Sequence, residues 1–304
     1  MEKTVELDRQ YEEAESLVLT RYAPGAIRRR VRWSQGETTA LELGDGPPLL
    51  YVHGGLSAAF EWLPMFSTLS QTHRVIAVDR PGHGSADPFD YGPIDFLTVG
   101  EAFLRDVMDA LDLETTILVA NSLGGLMSSY FTLSHADRVS KLVLVGAPMG
   151  AKRAVPMQVR LPSFPVIGRP LGRMAMSNPT RDGNRRFWQI LVAHPERIDD
   201  ILLDADVASQ RRNLESHLTL FRCVGGLRGL RHHLVLGDRW HAMGVPTLFV
   251  WGERDAFAAP EVGETLAAKI SNAHVARVPD AGHLPWIDDP ETVGAEITCF
   301  LSDG

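Results

Sequence analysis

Three side chains of this chain have the types and the order of a nucleophile, an orienting acid and a base. Ser122, Asp255 and His283 each shortly follow an apolar run that is typical of a buried strand. A serine hydroxyl is a poor nucleophile at neutral pH, so it needs a base, and the base needs a third group to hold its tautomer. The order Ser, Asp, His matches one known arrangement of this triad and excludes two others. Glu253 precedes Asp255 on the same loop and is the alternative acid.

The attack of a hydroxyl on a carbonyl also needs backbone N–H donors for the oxyanion that forms. Leu123 N–H follows the candidate nucleophile, and Gly55, in the loop after the third predicted strand, can supply a second donor because glycine lets the backbone approach the substrate. We assign Leu56, Asn121 and Trp286, which flank these groups, to substrate binding.

The residues around Ser122 are typical of a strand, a very tight turn and a helix. Residues 117–120 form a continuous apolar run, and an apolar segment resumes after Gly124 and Gly125. Such a turn holds one hydroxyl above the end of a parallel sheet, next to the first amides of the helix. The strand and helix nearly touch there, so small residues are needed two positions before and after the serine. Gly124 meets this need, and Ala120 stands where the usual pattern has glycine.

The rest of the chain alternates apolar strands with amphipathic helices, with one interruption. Residues 1–25 are predicted to form a lead-in helix, and residues 26–148 and 242–304 the core. Residues 149–241 lack a convincing buried strand and are predicted to form an inserted helical lid. We therefore expect an α/β protein with a mostly parallel central sheet of about eight strands flanked by helices. The loops that carry the candidate residues then open on the same edge of this sheet, where ligands bind in such folds.

These motifs together resemble the α/β-hydrolase fold superfamily, in its lidded branch of esterases, lactonases and carbon–carbon bond hydrolases. The matching motifs are His53-Gly54-Gly55, Asp79-Arg80-Pro81-Gly82-His83-Gly84-Ser85, Asn121-Ser122-Leu123-Gly124-Gly125, Trp251-Gly252-Glu253-Arg254-Asp255 and Gly282-His283-Leu284-Pro285. The resemblance implies that Ser122 is the nucleophile, His283 the general base and then acid, and Asp255 its orienting partner. It also implies Gly55 and Leu123 as oxyanion donors, and a scaffold role for His53 and His83.

The same resemblance separates the functions within the branch. Epoxide hydrolases and haloalkane dehalogenases carry aspartate at the position of Ser122, which argues against both. The Asn-Ser-x-Gly-Gly turn resembles hydrolases that cleave ring-fission products of aromatic degradation, but these usually have tryptophan where this chain has Leu284. The preferred interpretation is a cofactor-independent serine hydrolase of a carboxylic ester or lactone with an apolar part.

Two other functions remain open from the sequence. Carbon–carbon bond hydrolysis is the alternative, and it requires the lid arginines Arg181, Arg185 and Arg186 to face Ser122 and hold a substrate carboxylate. A non-catalytic binding protein on the same fold is the third possibility, although such proteins usually have a broken triad.

Composition limits the partners. The 304 residues carry a formal net charge of −8, which argues against a nucleic-acid partner because such a partner needs a basic face.

Cys223 and Cys299 have no metal-ligand spacing and are expected to be buried thiols, and no metal or cofactor is expected. No window is long and apolar enough for a membrane span, and the chain start does not resemble a signal peptide, so we expect a cytoplasmic protein. The oligomeric state stays open.

Overall fold

The computed structural model describes residues 2–92, 94–164 and 166–302. The strands, in chain order, are β1 (Ile27–Trp33), β2 (Gly36–Leu43), β3 (Pro48–Val52), β4 (Arg74–Val78), β5 (Thr116–Ala120), β6 (Val139–Val145), β7 (Gly225–Gly226), β8 (Gly229–Leu230), β9 (Thr247–Gly252) and β10 (Ala273–Val278). Within the described ranges, eight of these strands form one sheet in the order β1-β2-β4-β3-β5-β6-β9-β10. Only the β1–β2 and β2–β4 pairs of this sheet are antiparallel. The predicted mostly parallel sheet of about eight strands is confirmed.

Helices cover both faces of this sheet. They are α1 (Glu2–Tyr22), α2 (Leu63–Leu69), α3 (Phe96–Ala110), α4 (Ser122–Ser134), α5 (Met157–Arg160), α6 (Gly168–Met176), α7 (Arg181–Trp188), α8 (Asp200–Val224), α9 (Pro260–Ala267), α10 (Pro285–Asp288) and α11 (Pro290–Ser302). Among these described helices, none combines the length and the apolar character that crossing a membrane requires.

Alternate residues of the central strands face two separate cores. Leu118 of β5 packs with α3 and α4 on one side, whereas Val119 packs with α2 and α11 on the other. This arrangement explains the continuous apolar runs of the sequence, because a strand that is covered on both faces has no polar side. Since β3, β5, β6, β9 and β10 are mutually parallel, their carboxyl ends meet at one edge of the sheet.

The chain between β6 and β9 crosses this edge. We call residues 149–241 the cap segment; they contain α5 to α8 and the short antiparallel ribbon of β7 and β8. The lead-in helix α1 packs against α8, where Asp8 pairs with Arg212 at 2.6 Å and the Tyr22 hydroxyl donates to Asp199 at 3.1 Å. The division of the chain into a core and a separate lid stays a prediction.

The prediction of two buried thiols is wrong. Cys299 lies exposed on α11, because the buried side of that helix carries Val293, Ile297 and Phe300. Cys223 is half-buried on α8, and its sulfur lies 3.4 Å from the carbonyl oxygen of Ile94.

Candidate active site

Ser122 stands on a sharp turn between β5 and α4. Its φ of 52° lies in the left-handed region, which non-glycine residues seldom adopt and which is found at strained functional positions. Gly124 makes the turn possible, since a Cβ there would lie 2.3 Å from the carbonyl oxygen of Val52 and 2.5 Å from that of His53. Ala120 is fully buried in the core, so its methyl group is accommodated within the packed sheet. The turn therefore presents the Ser122 hydroxyl at the carboxyl edge of the sheet.

The imidazole of His283 is held by Asp255. The Nδ1 atom of His283 lies 2.9 Å from Oδ2 of Asp255, and both side chains are buried. The same Oδ2 accepts a hydrogen bond from Ala147 N–H at 2.8 Å, and Oδ1 accepts one from Phe257 N–H at 2.8 Å. The carboxylate is thus fixed by three donors, and it fixes the orientation of the imidazole in turn. The alternative acid, Glu253, is exposed to solvent.

The other ring nitrogen of His283 is free for chemistry. Among the described residues, Nε2 has no hydrogen-bond partner although it is buried. His283 and Ser122 line the same cavity, and the ring of Phe257 stacks on the imidazole with centroids 3.9 Å apart. A base that is anchored at Nδ1 and open at Nε2 is prepared to take a proton at Nε2, and catalytic hydrogen bonds are often long before substrate binds.

The buried guanidinium of Arg80 and the buried imidazoles of His53 and His83 contact the loop that carries Gly55. Arg80 donates from Nη2 to the carbonyl oxygen of Gly55 at 2.8 Å and from Nε to that of His53 at 3.0 Å. His53 Nε2 accepts from Arg80 N–H at 2.9 Å, so its Nδ1–H donates to the Gly54 carbonyl at 3.0 Å. His83 Nε2 lies 2.8 Å from the Gly55 oxygen. These contacts involve the carbonyl groups of the loop and hold its backbone beside the cavity that Gly54 and Gly55 line.

Both of these histidines are neutral. Burial lowers the pKa of His53 well below its usual value, and the charge of Arg80 lowers it further. Burial and then Arg80 have the same effect on the pKa of His83. Their role in the structure is to position the loop, and neither lines the cavity in the described part of the chain.

The residues assigned to substrate binding have different positions. Leu56 lines the cavity. Asn121 also reaches it, but its Nδ2 donates to the carbonyl oxygens of Val145 at 2.6 Å and His283 at 3.2 Å, so the side chain ties the serine turn to the histidine loop.

Trp286 is not part of the cavity lining that the described residues form. Its ring stacks on Trp62 with centroids 4.0 Å apart, and its Nε1 donates to the carbonyl oxygen of Glu61 at 2.9 Å. The physical reason is the start of α10 immediately after Leu284, which turns the next side chains into the core. The assignment of Trp286 to substrate contact therefore needs correction to a packing role.

The cavity is narrow and mostly apolar. Its volume is about 90 Å³. The apolar part of its wall includes six residues of the cap segment, Met149, Val155, Phe187, Leu191, Leu220 and Phe221. A small apolar cavity with few polar groups is typical of a site for a small organic molecule.

Two buried carboxyl groups also line this cavity, and the sequence analysis did not identify them. Glu61 lies in a single 3-10 turn (Ala59–Trp62) just after the Gly55 loop, and Asp206 lies on α8. Their exposed fractions are 2% and 3%. Neither belongs to a motif, so the only signal in the sequence was an acidic residue within an otherwise apolar segment at position 61.

Burial changes the protonation of both carboxyl groups. Burial raises the pKa of Glu61 to about 8; the Ser57 side chain lowers it, the Asp206 charge raises it and the Arg80 charge lowers it. Burial also raises the pKa of Asp206 to about 6, against hydrogen bonds from Trp188, Gln210 and Asn184 that lower it. Burial therefore acts in the same direction on both groups, and Asp206 keeps the lower pKa of the two.

The cap arginines named from the sequence lie elsewhere. Arg181 pairs with Asp200 at 2.9 Å, and neither Arg181, Arg185 nor Arg186 is among the described residues that line the cavity. Arg160 of α5 does line it, and its buried Nε has no hydrogen-bond partner within the described ranges. Over those same residues, no group of three His, Cys, Asp or Glu side chains is arranged to hold a metal ion.

Both the sequence and the fold of this chain are similar to those of known hydrolases. A model described as the alpha/beta hydrolase family matches residues 49–296. The 2-hydroxy-6-oxononadienedioate/2-hydroxy-6-oxononatrienedioate hydrolase of Paraburkholderia xenovorans (strain LB400) is 28% identical over 235 residues, which cover 76% of each chain. The carboxylesterase CesB (YbfK) from Bacillus subtilis superposes with a TM-score of 0.80 at 23% identity, covering 98% of this chain and 99% of that one. The enol-lactonase from Burkholderia xenovorans LB400 superposes with a TM-score of 0.73 at 19% identity, covering 90% and 100%.

The family match and the structural likeness cover the same elements. The match begins in β3 and ends in α11, so it spans every strand whose carboxyl end borders the cavity. The two solved structures share the fold of this chain over nearly all of its length. Because the match covers more than half of the 304 residues, the chain belongs to the alpha/beta hydrolase family and is a hydrolase of that fold.

Proposed function

We propose that this protein is a serine hydrolase that cleaves a carboxylic ester or lactone through an acyl-enzyme, without a cofactor. One observation carries the proposal: His283 is anchored by Asp255 at Nδ1, its Nε2 has no hydrogen-bond partner among the described residues, and it lines the same cavity as Ser122. The left-handed turn at Ser122 supports it, because backbone strain of this kind is kept where a side chain must be presented. The apolar wall suits a substrate with an apolar part.

The reaction has two half-reactions. The Ser122 oxygen attacks the carbonyl carbon while its proton passes to His283 Nε2, and Leu123 and Gly55 N–H groups stabilise the oxyanion. Collapse of this intermediate breaks the bond to the alcohol oxygen, which leaves with the proton from Nε2. A water molecule then gives its proton to the same nitrogen and attacks the acyl carbon, which releases the acid and restores the Ser122 hydroxyl. Asp255 stabilises the imidazolium in both halves.

The proposal is tested with a fluorophosphonate probe and a p-nitrophenyl butanoate assay. Wild type should incorporate one probe molecule at Ser122 and hydrolyse the ester, and Ser122→Ala should lose both. Ser129→Ala is the matched control, since Ser129 lies on the same helix, is buried and does not line the cavity. Turnover by Ser122→Ala, or absence of labelling in wild type, would refute the mechanism, and the latter would favour a binding protein.

Carbon–carbon bond hydrolysis is the second candidate, for two specific reasons. The sequence relatives named above include a hydrolase of a nonadienedioate. Arg160 lines the cavity with an unpartnered Nε and is a candidate partner for a substrate carboxylate, in place of the three arginines first considered. Such activity would remove the absorbance of a ring-fission dienoate on mixing and would fall in Arg160→Gln. If the dienoate is cleaved with a higher kcat/KM than any ester, this candidate replaces the first.

A further inference from the structure

The cavity contains a pair of carboxyl groups that the proposed ester mechanism does not use. Glu61 comes from the core and Asp206 from the cap segment, both line the same cavity, and the charge of Asp206 raises the Glu61 pKa. Both are almost completely buried. Burying an ionised carboxyl group is unfavourable unless a partner compensates it. The charge of Arg80 acts on Glu61, but Asp206 has no ion-pair partner among the described residues, so its carboxylate indicates a site that something else completes.

Each carboxyl group has one oxygen that accepts no hydrogen bond from the described residues. Among the described residues, Oε1 of Glu61 is buried without a hydrogen-bond partner. Oδ2 of Asp206 accepts from Asn184 at 2.8 Å, Trp188 at 2.9 Å and Gln210 at 3.3 Å. Oδ1 of Asp206 accepts no hydrogen bond from the described part of the chain. No lysine or arginine donates to either carboxyl group within that part.

Hydrogen bonds position the backbone at Glu61 and the carboxyl group of Asp206 without any ligand. The 3-10 turn that carries Glu61 begins at Ala59, whose N–H donates to Asp79 at 2.8 Å, and Trp286 donates to the Glu61 carbonyl oxygen. On the cap side, the three donors to Oδ2 orient the Asp206 carboxyl group and direct Oδ1 away from them. Preorganised groups of this kind lose little entropy when a ligand binds.

We propose that Glu61 and Asp206 form a subsite for a protonated amino group of the substrate, so that the preferred ester or lactone carries an amine. The inference rests on the proposed function. An ammonium group supplies both the positive charge that Asp206 lacks and N–H donors for the open oxygens of the pair. A substrate that carries a carboxylate at this end would instead face a negative charge in an apolar surrounding.

Arg160 is the other charged group of the cavity wall, and it does not neutralise the pair. Its guanidinium lies over the Phe164 ring at 5.9 Å and contacts the Met157 sulfur at 3.4 Å. Neither contact is an ion pair. Since Arg80 acts on Glu61 and no described cation pairs with Asp206, the charge of Asp206 is the one that a ligand can compensate.

The test compares esters of equal shape and different charge. On the acyl side, p-nitrophenyl 6-aminohexanoate is compared with p-nitrophenyl heptanoate; on the alcohol side, 2-(dimethylamino)ethyl butanoate is compared with 3-methylbutyl butanoate. In one of these pairs, kcat/KM at pH 7 should be at least about tenfold higher for the cation, the lower end expected for a hydrogen bond to a charged group. A ratio of one or less in both pairs would overturn the inference.

Variants connect the preference to the two residues. Asp206→Asn and Glu61→Gln should each lower the cation-to-neutral ratio of kcat/KM severalfold, and fluorophosphonate labelling of Ser122 checks that each variant is folded. Asp204→Asn is the matched control, because it removes a charge from the same helix at a position that pairs with Arg181 outside the cavity. An unchanged ratio in both cavity variants would overturn the subsite. If wild type hydrolyses no ester and takes no label, the proposed function fails; hydrolysis of neutral esters without cation preference overturns the subsite alone.

Discussion

Replacement of Asp255 by asparagine tests the proposed triad most directly, because the structure predicts how the amide will orient. Oδ2 of Asp255 meets two donors, His283 Nδ1 and Ala147 N–H, whereas Oδ1 meets only Phe257 N–H. Asparagine has one acceptor oxygen and one NH2 group. With the oxygen in the Oδ2 position only the Phe257 contact becomes donor against donor, whereas the opposite orientation disturbs two contacts. We expect the first orientation, in which His283 keeps its tautomer.

The size of the effect follows from this orientation. The imidazolium that forms during the reaction loses its negative partner but keeps a hydrogen bond, and hydrogen bonds to charged groups contribute about 1.5–3 kcal/mol. We therefore expect kcat/KM for p-nitrophenyl butanoate to fall roughly 10- to 100-fold in Asp255→Asn. The opposite orientation would hold His283 in the wrong tautomer, for which losses of about 10,000-fold are expected.

The assay measures kcat/KM and the rate of fluorophosphonate labelling for Asp255→Asn beside Glu253→Gln. Glu253 is the matched control, since it lies on the same loop but is exposed. A fall of less than about threefold in Asp255→Asn, or a larger fall in Glu253→Gln, would refute the role of Asp255. A loss near 10,000-fold would refute the reasoning that Ala147 N–H sets the orientation of the amide.

Two further predictions concern packing and pH. Gly124→Ala should lower the melting temperature and the rate of Ser122 labelling, because its Cβ would lie 2.3 Å from a carbonyl oxygen at the end of β3. Gly244→Ala is the control, with open space around its Cβ, and equal melting of the two variants would contradict the steric argument. The stability of Glu61→Gln relative to wild type should increase as pH rises from about 4.5 to about 8. Burial and the charge of Asp206 raise the pKa of Glu61, against the Ser57 side chain and the charge of Arg80. The raised pKa makes the protonated side chain favourable for folding at low pH, and wild type loses this contribution as pH rises through the window. The gain should be at most about 1.4 kcal/mol per pH unit, and a melting difference that stays constant over this range would contradict it.

The fold and the positions of the proposed triad could be predicted because they depend on patterns that are local in the chain. Ser122 and Asp255 each follow a continuous apolar run, His283 follows the mixed edge strand β10, and all three strands end at one edge because they are parallel. The hydrogen bond between Asp255 and His283 follows from that topology. The need for a small residue at Gly124 could also be predicted, but its close contacts are with Val52 and His53 at the end of β3 and not between β5 and α4, so the partner depends on the sheet order.

The wall of the cavity could not be predicted in the same way. The direction in which Trp286 points is set by the ring of Trp62 and by a hydrogen bond to a carbonyl that is distant in the chain. Asp206 lies on α8 among other acidic residues, and only its packing against α7 makes it face inwards. Arg160 and Arg181 cannot be distinguished as cavity and surface residues without knowing how the helices of the cap segment are placed.

The chemistry and the choice of substrate therefore depend on different parts of the molecule. The proposed nucleophile, base and acid all stand on loops after core strands, where the parallel topology holds them in place whatever the cap segment does. Most of the apolar wall, and the charged groups Arg160 and Asp206, come from the cap segment. Glu61 is the exception, because it belongs to the core and lines the cavity together with Asp206 of the cap segment. The core fixes the position of Glu61, and the charge of Asp206 raises its pKa in addition to burial, so a change in the cap segment acts on both carboxyl groups of the proposed subsite.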